Sequence, residues 1–133
     1  MNKRFLPVLG FLAIAIGLYL AFRNAPDRAV EIVSVRTTAA GMMLDVRYRV
    51  ADGKAAKSFF PKKSKPLLIN EKSGATLAVP VPPKVGPLKQ IPDEFKPDRT
   101  YFMFFANPGR HVKAGDLVTL VSGDRKIEHL RVQ

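Results

Sequence analysis

The chain has 133 residues, no cysteine and no tryptophan, and 22 Lys and Arg against 11 Asp and Glu. That length holds one domain, and the missing cysteine excludes disulfides, thiolate nucleophiles and cysteine-held metals. A net charge of +11 favours polyanions or acidic membrane surfaces as neighbours, and it says nothing about fold.

A short basic stretch, MNKR at 1–4, leads into FLPVLGFLAIAIGLYLAF at 5–22, which carries no charge. As a helix rising about 1.5 Å per residue this run is about 27 Å long, close to a hydrocarbon core of about 30 Å. Pro7 falls in the first turns, where a missing N–H matters least. Tyr19 lies where an amphipathic ring meets head groups. The run predicts a transmembrane helix or signal anchor. A cleaved signal peptide is the competing reading. Cutting after Ala25 or Ala21 puts Arg23 or Tyr19 three positions before the scissile bond, where a small residue is needed, and Ala13-Ile14-Ala15 lies inside the apolar run. With Lys3 and Arg4 held inside, the positive-inside bias places the following domain on the extracytoplasmic, periplasmic side of a single-pass membrane protein. The linker RNAPDRA, 23–29, reaches about 24 Å fully stretched, so the domain over 30–133 sits close to the bilayer.

That domain reads as strands. In MMLDVRYRV, 42–50, Met42, Leu44, Val46, Tyr48 and Val50 alternate with Met43, Asp45, Arg47 and Arg49. Period two over nine residues predicts a half-buried strand. It is expected to pair with VEIVSVRT, 30–37, across TAAG, where Gly41 supplies a positive φ. Ala51-Asp52-Gly53 reads as a turn. Leu67-Leu68-Ile69-Asn70 and ATLAV, 75–79, are two further strands joined by EKSG. The segment 80–97 holds six prolines, which exclude a central strand and predict an extended connector. Within it, 91–95 reads as one helical turn, with a proline and then acids at its start. TYFMFFA, 100–106, is apolar on both parities, as in a central strand covered on both faces. LVTLVS and KIEHLRV flank Gly123-Asp124 as a hairpin. Six to eight short strands without a soluble amphipathic helix predict an all-β, antiparallel β-sandwich.

The stretch DRTYFM, 98–103, resembles the tyrosine corner of immunoglobulin-like domains, with Tyr101 as the corner and Met103 where a cysteine would stand. The layout as a whole resembles uncharacterised bacterial envelope proteins in which one immunoglobulin-like sandwich follows an N-terminal apolar segment. The resemblance implies an immunoglobulin-like β-sandwich preceded by one N-terminal transmembrane helix. It implies no activity.

No catalytic or cofactor motif is present. His111 and His129 stand apart between charged neighbours, without the short His/Met spacing of a copper site. The serines lie outside any nucleophile elbow, and Asp93, Glu94 and Asp98 read as a solvated loop start. The expectation is a non-enzymatic protein with no cofactor and no bound metal. It is a structural or recognition module that binds an unidentified protein partner or an anionic surface near the membrane. A secreted ligand-binding sandwich and a His/Met metal-handling protein are the competing classes.

One charged stretch stands out. Lys54, Lys57, Lys62, Lys63 and Lys65 lie between Asp52 and Glu71 with no acid among them. They are the candidate contact with anionic lipid or an envelope polymer, since juxtamembrane lysines near an acidic surface contribute about 1 kcal/mol each. A solvated connector that guards a sheet edge is the plain alternative. Nucleic acid is not expected, because Phe59 and Phe60 read as apolar plugs rather than as exposed stacking platforms.

Overall fold

The computed structural model describes residues 29–133. The basic stretch 1–4, the apolar span 5–22 and nearly all of the linker 23–29 lie outside the described residues. Among those described, no helix is long and apolar enough to cross a membrane.

Seven strands form two antiparallel sheets: β1 (Val30–Thr38), β2 (Met43–Val50), β3 (Leu67–Asn70), β4 (Thr76–Ala78), β5 (Thr100–Ala106), β6 (Leu117–Ser122) and β7 (Arg125–Arg131). One sheet runs β1-β2-β5 and the other β4-β3-β6-β7. The alternation in β2 is realised: Leu44, Val46, Tyr48 and Val50 are buried, while Asp45, Arg47 and Arg49 face outward. Their partners on the inner face are Tyr101, Met103 and Phe105 of β5, together with Leu68 of β3 and Val118 and Leu120 of β6. A period of two along each strand thus delivers one face of each sheet to a shared core.

The β1–β2 connection carries three successive left-handed residues, with φ of 51° at Ala39, 54° at Ala40 and 85° at Gly41. Glycine takes this conformation freely, whereas alanine does so at a cost. The β6–β7 ladder shifts register between Val118 and Leu120, and His129 there has φ of 60°. Glu71 holds this irregular point, accepting from the Thr119 hydroxyl at 3.0 Å and the His129 N–H at 2.7 Å. The His129 N–H and ring, aided by Thr119, hold the Glu71 carboxyl below its ordinary range.

Three expectations are corrected. Asp52 does not close a turn; it caps a seven-residue helix, α1 (Gly53–Phe59), its Oδ1 accepting from the N–H groups of Lys54 at 3.0 Å and Ala55 at 3.3 Å. Ala56 and Phe59 bury the inner side of that helix, so the domain does contain an amphipathic helix. Second, β5 is not central. It ends the three-stranded order, and Phe102, Phe104 and Ala106 on its outer side are only half-buried. Those rings are sheltered by each other, at 5.2 Å between centroids, and by the Arg47 guanidinium 5.5 Å above Phe102. Third, 91–95 forms no helical turn. Its neighbourhood is held by two tyrosines instead: Tyr48 Oη donates to the Gln90 carbonyl, and Tyr101 Oη accepts from Lys96 N–H at 2.8 Å.

The connector does more than link strands. Gln90 N–H donates to the Phe102 carbonyl at 2.8 Å, and Phe104 N–H donates to the Leu88 carbonyl at 2.8 Å. Residues 88–90 thereby occupy the edge of β5 that β2 leaves open.

Candidate functional site

Strand polarity sets what gathers at each end of the sandwich. Val30 pairs with Val50 and Arg49 with Thr100, so the start of β1, the end of β2 and the start of β5 share one end. Ala51 N–H donates to the Ala29 carbonyl at 2.9 Å, which fixes the point where the chain reaches the domain at this proximal end. Leu67 pairs with Val121, and Ser122 Oγ donates to the Phe59 carbonyl at 2.7 Å, which brings α1 and the start of β3 to the same end. The lysine segment is therefore proximal as well.

Its phenylalanines are in the core. Phe59 and Phe60 are 0% and 1% exposed and meet edge to face at 4.7 Å. Phe60 lies 5.1 Å from Tyr48, which in turn stacks on Tyr101 at 5.5 Å. Phe95 adds an edge-on contact to Tyr101 at 5.4 Å. Five rings thus plug the proximal end, and Phe59 and Phe60 are unavailable to stack on a base. Burial, and secondarily the neighbouring Tyr101, pushes the Tyr48 hydroxyl well above the ordinary tyrosine range, so Tyr48 is a neutral donor at any physiological pH.

With the rings inside, the lysines point outward. Lys54 and Lys57 on α1 and Lys62, Lys63 and Lys65 after it are all exposed. They are not equivalent. Lys62 pairs with Asp93 of the connector, whose carboxyl is lowered by that hydrogen bond and charge and, more weakly, by Lys57. Both partners are largely exposed, so the pair contributes little to stability. Lys54, Lys63 and Lys65 form no ion pair among the described residues. Lys65 instead lies close enough to Lys89 that, after burial, its charge is the second cause holding the Lys89 ammonium below its ordinary range. Lys89 Nζ donates to the Ser64 carbonyl. The lysine segment and the connector are therefore packed together, and the connector adds a sixth lysine that composition within 54–65 did not reveal.

Beside this surface the connector and β5 line an open groove of about 630 Å³. Lys89, Gln90, Arg99, Thr100 and Tyr101 supply its polar groups, and Ile91 and Pro92 its apolar wall. The volume is within the usual range of small-molecule sites. The sequence offered no route to this groove, since Lys89 and Arg99 stand ten residues apart in a segment without periodicity. The one available signal was the length of the connector, which must cross from β4 to β5 and so must fold over a sheet edge.

The remaining chemical candidates are dispersed. Among the described residues no group of three or more His, Asp and Glu is placed to hold a metal ion. His129 faces Glu71 and Glu128, Met103 is fully buried in the core, and Asp93 is engaged by Lys62. No protein-family model matches the sequence, and no curated protein or solved structure matches it.

Proposed function

We propose that this protein is a non-catalytic, membrane-anchored recognition module of the cell envelope, with an immunoglobulin-like sandwich that turns its lysine-rich end toward an anionic surface. One observation carries the reading. The apolar run 5–22 delivers the chain through a short linker to Ala29, and Ala29 lies at the same end of the sandwich as Lys54, Lys57, Lys62, Lys63 and Lys65. A body tethered there faces the bilayer with its cations. Each lysine near an acidic leaflet adds about 1 kcal/mol, screened within a Debye length. Lys62 adds less, because Asp93 already neutralises part of its charge.

The immunoglobulin-like assignment is supported by strand order. Strands 1, 2 and 5 share one sheet and strands 3, 6 and 7 the other, which is the division found in immunoglobulin sandwiches, with the fourth strand transferred to its neighbour's sheet. Tyr101 makes a backbone bond five residues upstream, as a tyrosine corner does, although it stands on the fifth strand rather than the sixth.

The test is co-sedimentation of the 29–133 domain with vesicles containing phosphatidylglycerol. Binding is expected to exceed that to phosphatidylcholine vesicles, to weaken with salt, and to fall at least tenfold, about 1.4 kcal/mol, when Lys62, Lys63 and Lys65 are changed to Glu. Binding indifferent to that charge reversal removes the anionic-surface reading. Sequencing the mature amino terminus tests the anchor, because retention of MNKR is expected and its loss would mean release.

A further inference from the structure

The groove beside β5 has a donor set that the lysine segment does not share. The Arg99 guanidinium is exposed and forms no ion pair among the described residues. Gln90 Oε1 accepts from Phe102 N–H at 3.2 Å, which leaves its amide NH₂ to donate. Tyr101 borders the groove with its ring buried in the proximal plug and its Oη accepting from Lys96 N–H at 2.8 Å, and the exposed Thr100 adds a hydroxyl. Lys89 closes the set. Its Nζ is committed to a neutral carbonyl, that of Ser64, and has no acid partner among the described residues.

No carboxylate lines the groove. Asp93, which follows Pro92, is taken up by Lys62, and Asp98, which precedes Arg99, does not reach the lining. A lining that holds two cations and no carboxylate leaves an anion as its electrostatic complement. The two cations, Lys89 and Arg99, border the groove, and the charge of Lys65 acts on Lys89 as well. Bringing in negative charge offsets this like-charge repulsion. The planar fork of a guanidinium matches two phosphate oxygens at once, and hydroxyl and amide donors serve the remaining ones. Ile91 and Pro92 offer an apolar surface to whatever carbon skeleton the phosphate carries.

We infer that the groove formed by Lys89, Gln90, Arg99, Thr100 and Tyr101 binds a phosphate ester of head-group size. Arg99 is the principal contact and Ile91 and Pro92 receive the organic part. The donor set stands without the proposed membrane role. Only the source of the ligand, a phospholipid head group rather than a free phosphate ester, rests on that reading.

The experiment is isothermal titration of the full chain in neutral detergent micelles with dihexanoyl phosphatidylglycerol and, separately, with glycerol 3-phosphate. Saturable binding of at least one is expected, weakened about tenfold or more in Arg99→Gln, with Lys113→Gln, an exposed lysine outside both the groove and the lysine segment, unchanged as the control. Arg99 is exposed, so its replacement leaves the thermal midpoint in place. Thr100→Val is a second variant with the same expected direction. Saturation by the lipid alone assigns the head group, and equal binding of both assigns the free ester. Failure of both probes to saturate at millimolar concentration overturns the site, as does binding that Arg99→Gln leaves intact. Vesicle binding by the lysine segment depends on Lys62, Lys63 and Lys65, so the two readings fail through different residues.

Discussion

The two ends of the sandwich are closed by different chemistry. The proximal end is stoppered by rings: Tyr48, Phe59, Phe60, Phe95 and Tyr101 meet within 6.3 Å or less of one another in successive pairs. The distal end is tied by amides. Asn107 is fully buried and donates to the carbonyls of Gly41 at 2.9 Å and Val112 at 2.8 Å, while accepting from Val112 N–H at 3.2 Å. Asn70, also buried, donates to the His111 carbonyl at 3.1 Å and to Asp116 Oδ2 at 3.2 Å. Rings need only volume and tolerate many outer surfaces, whereas amide struts dictate the path of each loop they join. The plugged end is therefore where the outer side chains are free to carry cations and a groove. At the tied end the buried amides are spent on loop carbonyls and on Asp116.

The contrast is open to attack, beginning with the largest effect. Phe60→Ala removes a ring that touches both Phe59 and Tyr48, and is expected to cost about 4 kcal/mol in urea unfolding. A loss of under about 1 kcal/mol, the range of ordinary surface changes, would mean that the rings do not close the proximal end. Asn107→Ala leaves two carbonyls and one N–H without their partner in a fully buried site, for an expected loss of about 3 kcal/mol. The two variants should also differ in where they loosen the structure. Hydrogen exchange should quicken at the amides of Arg110 and Val112 in Asn107→Ala, and near Ser64 and Lys96 in Phe60→Ala. The smallest effect is a gain. Ala40→Gly relieves a left-handed alanine in the distal β1–β2 turn and is expected to raise stability by about 0.5–1 kcal/mol, read as an increase in thermal midpoint of a few degrees.

Strand identity was legible because one face of each sheet is buried and the other is wet, and a period of two records that directly. MLDVRYRV lies in β2, and the Gly123-Asp124 hairpin joins the strands expected of it. The helix was not legible. Seven residues with Ala56 and Phe59 as the buried set span barely two turns, too short for a 3.6 period to separate itself from a turn. Asp52 carried the signal as an N-cap residue, but Asp-Gly reads equally well as a turn. The position of β5 was obscured by Phe102 and Phe104, whose shelter comes from Arg47 and from each other rather than from a second layer. The five lysines were legible as a charge excess, yet their inequality depends on Asp93 and Lys89. Both of these come from a connector whose course over β5 leaves no periodic trace.

Strand polarity also fixes a height. β2 crosses the body in eight residues, and at about 3.3 Å per residue that is about 26 Å from the lysine-bearing floor to the asparagine-tied roof. On the proposed tether, the roof stands about that far above the head groups, and its loops are the first parts of the molecule that anything approaching from the aqueous side would touch.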